Sequence, residues 1–260
     1  MRKPLVLFFL LTCHFIFAQD NYEIQVYGSQ TQAPKSTMFE LHSNYTFSGE
    51  KQTVDGVLPS NHALHETLEI TTGITKIFEI GVYLFTAWIP EHGYQVVGTH
   101  LRPRIMAPKE WNWPVGVSLS TEIGYQKPEY SSSTWSIEIR PIVDKQWEKV
   151  YISFNPTLGI SLKSQYEKST PTFEPNLKLS YSFFKNGALG IEYYGDVGYV
   201  NDPNKFSEQQ EAIFLTYDLL NNIKWEFNVG AGFGVSSATD PFVFKVILGR
   251  RVSWRKEPAN

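Results

Sequence analysis

The C-terminal part of the chain, residues 224–254, alternates between apolar residues and polar or small ones. Side chains that alternate in this way lie on opposite faces of a β-strand. In the first run one face carries Trp225, Phe227, Val229, Ala231, Phe233 and Val235, and the other carries Glu226, Asn228, Gly230, Gly232 and Gly234. A polar link and a second alternating run at 242–254 follow, so the pattern predicts a hairpin. Each strand would have about eleven residues, enough for a tilted strand to cross a bilayer.

The same alternation recurs from Thr37 onward and predicts about twelve strands in all. Those that precede the hairpin lie at residues 37–47, 63–72, 78–88, 94–106, 115–126, 135–140, 150–161, 176–183, 188–199 and 211–219. Links after even-numbered strands are short, such as 184–187, whereas several links after odd-numbered strands are long, such as 48–61. This asymmetry is typical of membrane barrels, so residues 37–254 are predicted to form an all-β, antiparallel transmembrane β-barrel.

The first residues have the pattern of a secretory signal peptide. Arg2 and Lys3 precede an apolar run, and the segment ends near Ala18, so residues 1–18 are predicted to be removed on export. The only cysteine, Cys13, would leave with them, which excludes disulfides and thiolate metal sites from the mature chain. The signal and the barrel pattern together predict insertion in a bacterial outer membrane.

Two segments flank the predicted barrel. Residues 19–36 form a lead-in, in which the alternating run YEIQVYGS at 22–29 is followed by a polar link that contains proline. This pattern leaves three placements open: a periplasmic lead-in, a piece inside the lumen, or an additional strand. Residues 255–260 form a C-terminal tail.

Three prolines interrupt the predicted strands. Pro103, Pro141 and Pro156 fall inside strands that have neighbours on both sides, where proline removes a ladder hydrogen bond. Each proline shares its face with apolar residues. We therefore predict β-bulges on the lipid-facing side of the fourth, sixth and seventh strands.

Composition supports this class and excludes two others. With 42% hydrophobic residues and a mean hydropathy of −0.25, the chain is too polar for a bundle of membrane helices. The formal net charge of −3, without a basic cluster, argues against nucleic acid as a partner. Aromatic residues make up 15% of the chain, and many fall at strand ends, where membrane barrels carry aromatic girdles.

The inward-facing positions carry many charges, although a barrel of about twelve strands has a narrow interior. The predicted lumen charge network comprises Glu40, Glu69, Glu79, Arg102, Arg104, Glu122, Glu138, Arg140, Lys178, Glu192, Asp196, Asp218, Glu226, Lys245 and Arg251. Strand order places Arg102 and Arg104 next to Glu122, and Glu122 next to Arg140. Two interpretations stay open: a salt-bridge lattice that holds the barrel rigid, and a polar conduit that screens solutes by charge.

Other inward residues give weaker signals. Gly230, Gly232 and Gly234 share one inner face and predict the close approach of an inserted loop or of a large side chain from across the lumen. The inward set also contains three histidines, His42, His65 and His100. No ligand motif accompanies them, so we predict hydrogen-bonding lumen residues and no metal site. The sequence GVSLS at 116–120 lacks the last glycine of a nucleophile elbow and lies in a predicted strand, so no catalytic residue and no cofactor are predicted.

The chain resembles the Gram-negative outer-membrane β-barrel family labelled as MetA-pathway-of-phenol-degradation proteins. The segments that carry the resemblance are EIQVYGSQTQAP at 23–34, MFELHSNYTF at 38–47, HALHETLEITTGIT at 62–75, RPRIMAPKEWNWPVGVSLSTEIGYQ at 102–126, IEIRPIVDKQ at 137–146, IEYYGDVG at 191–198, WEFNVGAGFG at 225–234 and VILGRR at 246–251. The resemblance implies a channel or transport-like role for small molecules, aromatic or other apolar compounds among them. It implies no catalytic residues.

The end of the chain is similar to the C-terminal recognition signal of bacterial outer-membrane proteins. Gly249, Val252 and Trp254 match its spaced glycine, hydrophobic and aromatic positions, while Ile247 stands where a polar residue is expected. The expected partners are therefore the barrel-assembly machinery, outer-membrane lipid and a small-molecule solute. Two other functions stay open: a structural or interaction barrel with a plugged lumen, and an outer-membrane lipid-modifying enzyme.

Overall fold

The computed structural model describes residues 21–164 and 170–254 and consists almost entirely of antiparallel strands. The strands are β1 Ser36–Ser48, β2 Leu64–Gly73, β3 Phe78–Ile89, β4 Gly93–Met106, β5 Gly116–Gln126, β6 Ser133–Trp147, β7 Val150–Ser164, β8 Thr172–Phe184, β9 Gly187–Asp196, β10 Gly198–Tyr199, β11 Asp202–Pro203, β12 Gln210–Leu219, β13 Trp225–Gly234 and β14 Phe242–Ser253. Two 3-10 turns lie at Lys109–Trp111 and Phe206–Glu208. The predicted signal peptide, 1–18, and the tail, 255–260, lie outside the described residues.

The twelve long strands close into a barrel. Each pairs with the next along the chain, β9 pairs with β12, and β1 pairs with β14, so the sheet has no free edge. Two-residue strands β10 and β11 belong to the connection between β9 and β12, where Tyr199 bridges to Thr172. The predicted all-β, twelve-stranded antiparallel barrel is confirmed.

The connections define two ends of the barrel. Links after β1, β3, β5, β7, β9 and β13 lie at one end, here called the loop end, and links after β2, β4, β6, β8 and β12 lie at the other, the turn end. The predicted length difference holds with two exceptions. The loop-end link after β3 is short, and the turn-end link after β4 contains the turn Lys109–Trp111.

The outer surface carries a continuous apolar belt. Its exposed members include Phe39, Leu41, Val82, Leu84, Leu101, Leu119, Ile123, Phe154, Leu177, Leu179, Leu189, Ile191, Leu215, Phe244 and Leu248. Exposed aromatic residues lie at the strand ends: Phe47, Trp88, Tyr94, Trp135 and Phe233 at the loop end, and Trp111, Trp113, Trp147, Phe183, Phe184, Trp225 and Trp254 at the turn end. Water-soluble proteins rarely expose apolar patches of this extent, whereas barrels in lipid require them. In the described ranges, no helix is long and apolar enough to cross a membrane.

The three prolines face outward as predicted, but the predicted bulges are wrong. The β4–β5 register is the same on both sides of Pro103, with Leu101 opposite Ile123 and Arg104 opposite Ser120. The ladder is interrupted there without a shift, because proline lacks the N–H that would complete it.

Pro141 and Pro156 share a second interruption of the ladder. The β6–β7 pairs Ile139–Leu158 and Val143–Phe154 keep one register, which sets Pro141 opposite Pro156. Neither residue can donate a backbone hydrogen bond across this gap. The β-bulges of the barrel lie elsewhere in the sheet.

A side chain does approach the glycine stripe on β13 closely, but at Gly232 the predicted source is wrong. A Cβ at Gly232 would lie 2.2 Å from the ring of Phe214, which is paired with it on β12. The ring thus comes from the neighbouring strand and not from across the lumen. It belongs to the same buried cluster as Ile24 and Val26.

Candidate functional site

Residues 21–34, here called the lumen segment, cross the interior of the barrel from end to end. At the turn end, Pro34 forms an isolated bridge with Gly73. At the loop end, Asn21 donates a hydrogen bond from Nδ2 to Asp240 Oδ2 at 3.2 Å. Of the three placements left open by the sequence, the structure has the lead-in inside the lumen.

Polar side chains of the wall bind the backbone of the lumen segment. In its middle, Asn155 Oδ1 accepts from the N–H of Tyr27 at 2.7 Å, and the carbonyl of Tyr27 accepts from Ser153 Oγ at 2.6 Å. Further carbonyls accept from Asn44, Thr67, Arg104 and Lys245. Buried backbone groups outside regular structure need such partners, so these inward polar residues hold the segment in place.

Apolar contacts seat the same segment on two sides of the lumen. Ile24 and Val26 are buried against Tyr194, Ala212, Phe214 and Val243. Tyr22 packs on the opposite cluster of β3, with its ring 5.5 Å from that of Phe85. These inward apolar residues interrupt the polar lining of the wall, because they face the lumen segment instead of water.

The predicted charges form three networks, and the first surrounds Arg102 in the turn-end half. Arg102 pairs with Glu69, lies 3.5 Å from Glu79, and donates to Thr71 Oγ1 at 2.9 Å. Arg104 also pairs with Glu79, at 2.7 Å. The sequence placed these arginines next to Glu122, but the ion pairs connect them to β2 and β3.

The second network surrounds Arg140 and reaches the lumen segment. Arg140 lies 2.6 Å from Glu138, 3.1 Å from Glu23 and 3.6 Å from Glu122. Its guanidinium group also lies 4.8 Å from the ring centre of Tyr27, a cation–π distance. Glu23 was not among the predicted charges, because the sequence did not place its segment in the lumen.

The third network lies on β8, β9, β12 and β14. Glu192 pairs with Lys178 at 2.9 Å and with Lys245, and Lys178 also pairs with Asp218 at 2.7 Å. Tyr194 donates to Glu192 at 2.6 Å. The charges are therefore paired as the salt-bridge interpretation requires, and Lys245 also donates to the carbonyl of Ile24 in the lumen segment.

The remaining predicted residues form no ion pair with these three networks in the described part of the chain. Glu226 and Arg251 face each other at 4.0 Å near the turn end, and both are partly exposed. Asp196 lies at the end of β9, where it accepts from the N–H of Gly198 at 2.8 Å. Glu40 is only 5% exposed, and its Oε1 atom has no hydrogen-bond partner in the described part of the chain.

The loop-end half of the lumen contains a cavity of about 520 Å³, here called the vestibule. Its described lining includes eight carboxylate residues: Glu23, Glu50, Asp55, Glu122, Glu138, Glu174, Asp196 and Asp240. Arg140 is the one arginine or lysine in that described lining. Burial raises the pKa of the Asp240 carboxyl, whereas hydrogen bonds from Ser60 and Asn21 lower it. Carboxyl groups dominate the charged residues of the described lining.

The inward histidines lie in different surroundings. His65 packs edge-on against Tyr22, with ring centres 4.8 Å apart, and His100 lies 3.4 Å from Glu122. His42 lies beside Glu40 and Glu69, and ligand atoms of these three residues lie within 4.8 Å of one another. Sequence reasoning missed this cluster, because its members come from two strands without a recognisable spacing.

No family model matches the sequence, and no curated protein matches it. The resemblance to the family named above therefore stays a prediction. Solved structures do match: the COG4313 outer membrane channel from Pseudomonas putida F1 has a TM-score of 0.58 and 10% identity, covering 88% of this chain and 100% of that chain. A KdgM porin has a TM-score of 0.54 and 11% identity, covering 82% of this chain and 98% of that chain. At such low identity the likeness shows the fold alone, which is that of an outer-membrane β-barrel.

Proposed function

We propose that this protein is a solute channel of the outer membrane and that the lumen segment limits passage through it. The observation that carries the proposal is the vestibule, a carboxylate-rich cavity at the loop end of the barrel, whose lining includes Asn21, Tyr22, Glu23 and Gln25 of the lumen segment. Outer-membrane lipid would cover the apolar belt, and the barrel-assembly machinery would insert the chain. The role is one of transport, without a catalytic residue or a cofactor.

The charge of the vestibule favours cationic or neutral solutes. The described lining, with eight carboxylate residues and a single guanidinium, attracts cations, and a narrow cavity with low-dielectric walls strengthens that attraction. Arg140 is shared among three of these carboxylates and cannot balance them. Aromatic or apolar solutes, which the family resemblance implies, would have to carry a positive charge or none.

A second function, a closed structural or interaction barrel, has an observation in its favour. The lumen segment is bonded to the wall along its whole length, from Gly73 at the turn end to Asp240 at the loop end. If this segment never moves, the barrel would be tight. Electrical recordings separate the two functions, because a tight barrel shows neither discrete conductance nor ion selectivity.

The selectivity of the channel follows from the vestibule. In planar bilayers with a KCl gradient, the purified protein should give discrete openings and a reversal potential of the sign expected for K⁺. Replacing Glu50→Gln and Asp55→Asn together should lower the K⁺ to Cl⁻ permeability ratio about twofold or more, because two exposed carboxylates of the vestibule lining are removed.

The matched control is Glu129→Gln, which removes a carboxylate from an exposed loop-end position outside the vestibule. It should leave the reversal potential unchanged. Anion selectivity of the unaltered protein would overturn the assignment of the vestibule as a cation path. A complete lack of conductance would favour the closed barrel.

A further inference from the structure

Three side chains on adjacent strands converge in the turn-end half of the lumen. Glu40 and His42 are two residues apart on β1, so both point inward, and Glu69 of β2 lies directly opposite Glu40 in the register. The exposed fractions of Glu40, His42 and Glu69 are 5%, 0% and 1%. The pairing of β1 with β2 thus fixes two carboxylates and an imidazole in one buried place.

Four polar atoms of this cluster lack hydrogen-bond partners in the described part of the chain. They are both ring nitrogens of His42, Glu40 Oε1 and Glu69 Oε2, and all are buried. The distance from His42 Nε2 to Glu69 Oε2 is 3.6 Å, which is longer than a hydrogen bond. Buried polar atoms are nearly always paired, so four unpaired polar atoms that converge in one place indicate a bound ligand.

The surrounding charges identify the ligand as a cation. Glu69 uses its Oε1 atom for Arg102, which leaves Oε2 free to face His42. Arg104 pairs with Glu79. Among the described ion pairs, no arginine or lysine is paired with Glu40. Among the described residues Glu40 is therefore a buried carboxylate without an arginine or lysine partner, and such a group favours the binding of a positive charge.

We propose that Glu40, His42 and Glu69 bind a divalent transition-metal ion of the zinc class. One ligand atom from each residue lies within 4.8 Å of the other two, so one ion can contact all three residues after small side-chain movements. A set of one imidazole and two carboxylates suits Zn²⁺ and related ions, whereas Ca²⁺ and Mg²⁺ prefer oxygen ligands alone. The ion would connect the neighbouring strands β1 and β2 on the inner side of the barrel wall.

A glycine on the neighbouring strand makes room for this site. Gly249 of β14 pairs with Glu40 on one side and with Glu226 on the other. A Cβ at Gly249 would lie 2.9 Å from Glu40 Cγ and 3.0 Å from Glu226 Cβ. The absence of a side chain at this position lets a further carboxylate, Glu226, approach the cluster and adds to its negative potential.

The test measures zinc binding by untagged protein in detergent after treatment with a chelator. Isothermal titration should show one Zn²⁺ bound per chain, and His42→Gln and Glu40→Gln should each weaken binding about tenfold or more. The matched control is His65→Gln, which removes another buried lumen histidine and should bind as the unaltered protein does. Heat-modifiable migration on gels establishes that each variant is a folded barrel.

X-ray absorption of the zinc-loaded, unaltered protein gives a readout that needs no variant. It should show a first shell of nitrogen and oxygen donors with an imidazole signature. Failure to bind zinc at a stoichiometric level, binding that is equal in all four proteins, or a shell without imidazole would each overturn the site. A water molecule or a proton shared by Glu40 would then occupy the cluster.

Discussion

Deleting residues 21–30 should raise the single-channel conductance several-fold. The deletion removes the part of the lumen segment that runs from the vestibule to the turn-end half. It leaves β1 and the bridge between Pro34 and Gly73 intact. The wall side chains that bind the segment, Asn155 and Lys245 among them, are polar and can bind water in its place. A barrel of about twelve strands without the segment has room for a water-filled path.

The control for this deletion is Tyr27→Phe, which keeps the ring beneath the arginines and removes only the hydroxyl that contacts Glu23 and Tyr83. Its conductance should stay close to that of the unaltered protein. Both proteins are compared in planar bilayers of the same lipid at the same salt concentration. Equal conductance of the deletion and the unaltered protein would mean that the segment does not limit passage.

Arg102→Met should lower the free energy of unfolding by about 3–5 kcal/mol. Arg102 is 1% exposed and lies between Glu69 and Glu79, which are themselves 1% and 0% exposed. Among the described ion pairs, removing the guanidinium leaves Glu69 without an arginine partner, whereas Glu79 keeps Arg104. The quantity is measured by urea unfolding of the barrel in lipid vesicles.

Two further variants separate the buried charge from the loss of side-chain volume. The double variant Arg102→Met with Glu69→Gln should recover part of the stability, because one unpaired charge is removed together with its partner. Arg250→Met, at a half-buried arginine that lies 4.6 Å over the ring of Trp225 and belongs to none of the three networks, should cost less than about 1 kcal/mol. Equal losses of unfolding free energy in the Arg102→Met and Arg250→Met variants would contradict a structural role for the buried network.

The barrel itself was predictable from the sequence, because lipid on the outer face and a polar interior on the inner face require apolar and polar residues to alternate along each strand. The predicted strand at 211–219 corresponds to Gln210–Leu219, and that at 78–88 to Phe78–Ile89. The prolines were harder to interpret. Their outward direction follows from the two-residue alternation. Whether a proline causes a β-bulge or only a missing pair in the hydrogen-bond ladder depends on the partner strand.

The position of the lumen segment was not predictable, because alternation in YEIQVYGS fits a strand, a lead-in and a segment in a lumen equally well. One signal was present. The inward residues Asn44, Thr67, Ser153 and Asn155 are uncharged side chains that can bind the backbone of an inserted segment. The metal-binding cluster was missed for a related reason, since the pairing of Glu40 with Glu69 is a property of the register.

The most direct test of the central claim is a disulfide between the lumen segment and the wall. A Cβ at Gly116 would lie 3.2 Å from Cβ of Ser29, close to the separation of about 3.8 Å found in disulfides. The only native cysteine, Cys13, lies in the predicted signal peptide, so the double variant Ser29→Cys with Gly116→Cys should contain a single thiol pair.

Oxidation of the folded double variant in membranes should form an intrachain cross-link, visible as a shift on non-reducing gels that single-cysteine variants do not show. The oxidised protein should conduct poorly, and reduction should restore the conductance of the unaltered channel. Absence of a cross-link in the folded barrel would contradict the placement of residues 21–34 in the lumen. Undiminished conductance of the cross-linked protein would contradict control of passage by that segment.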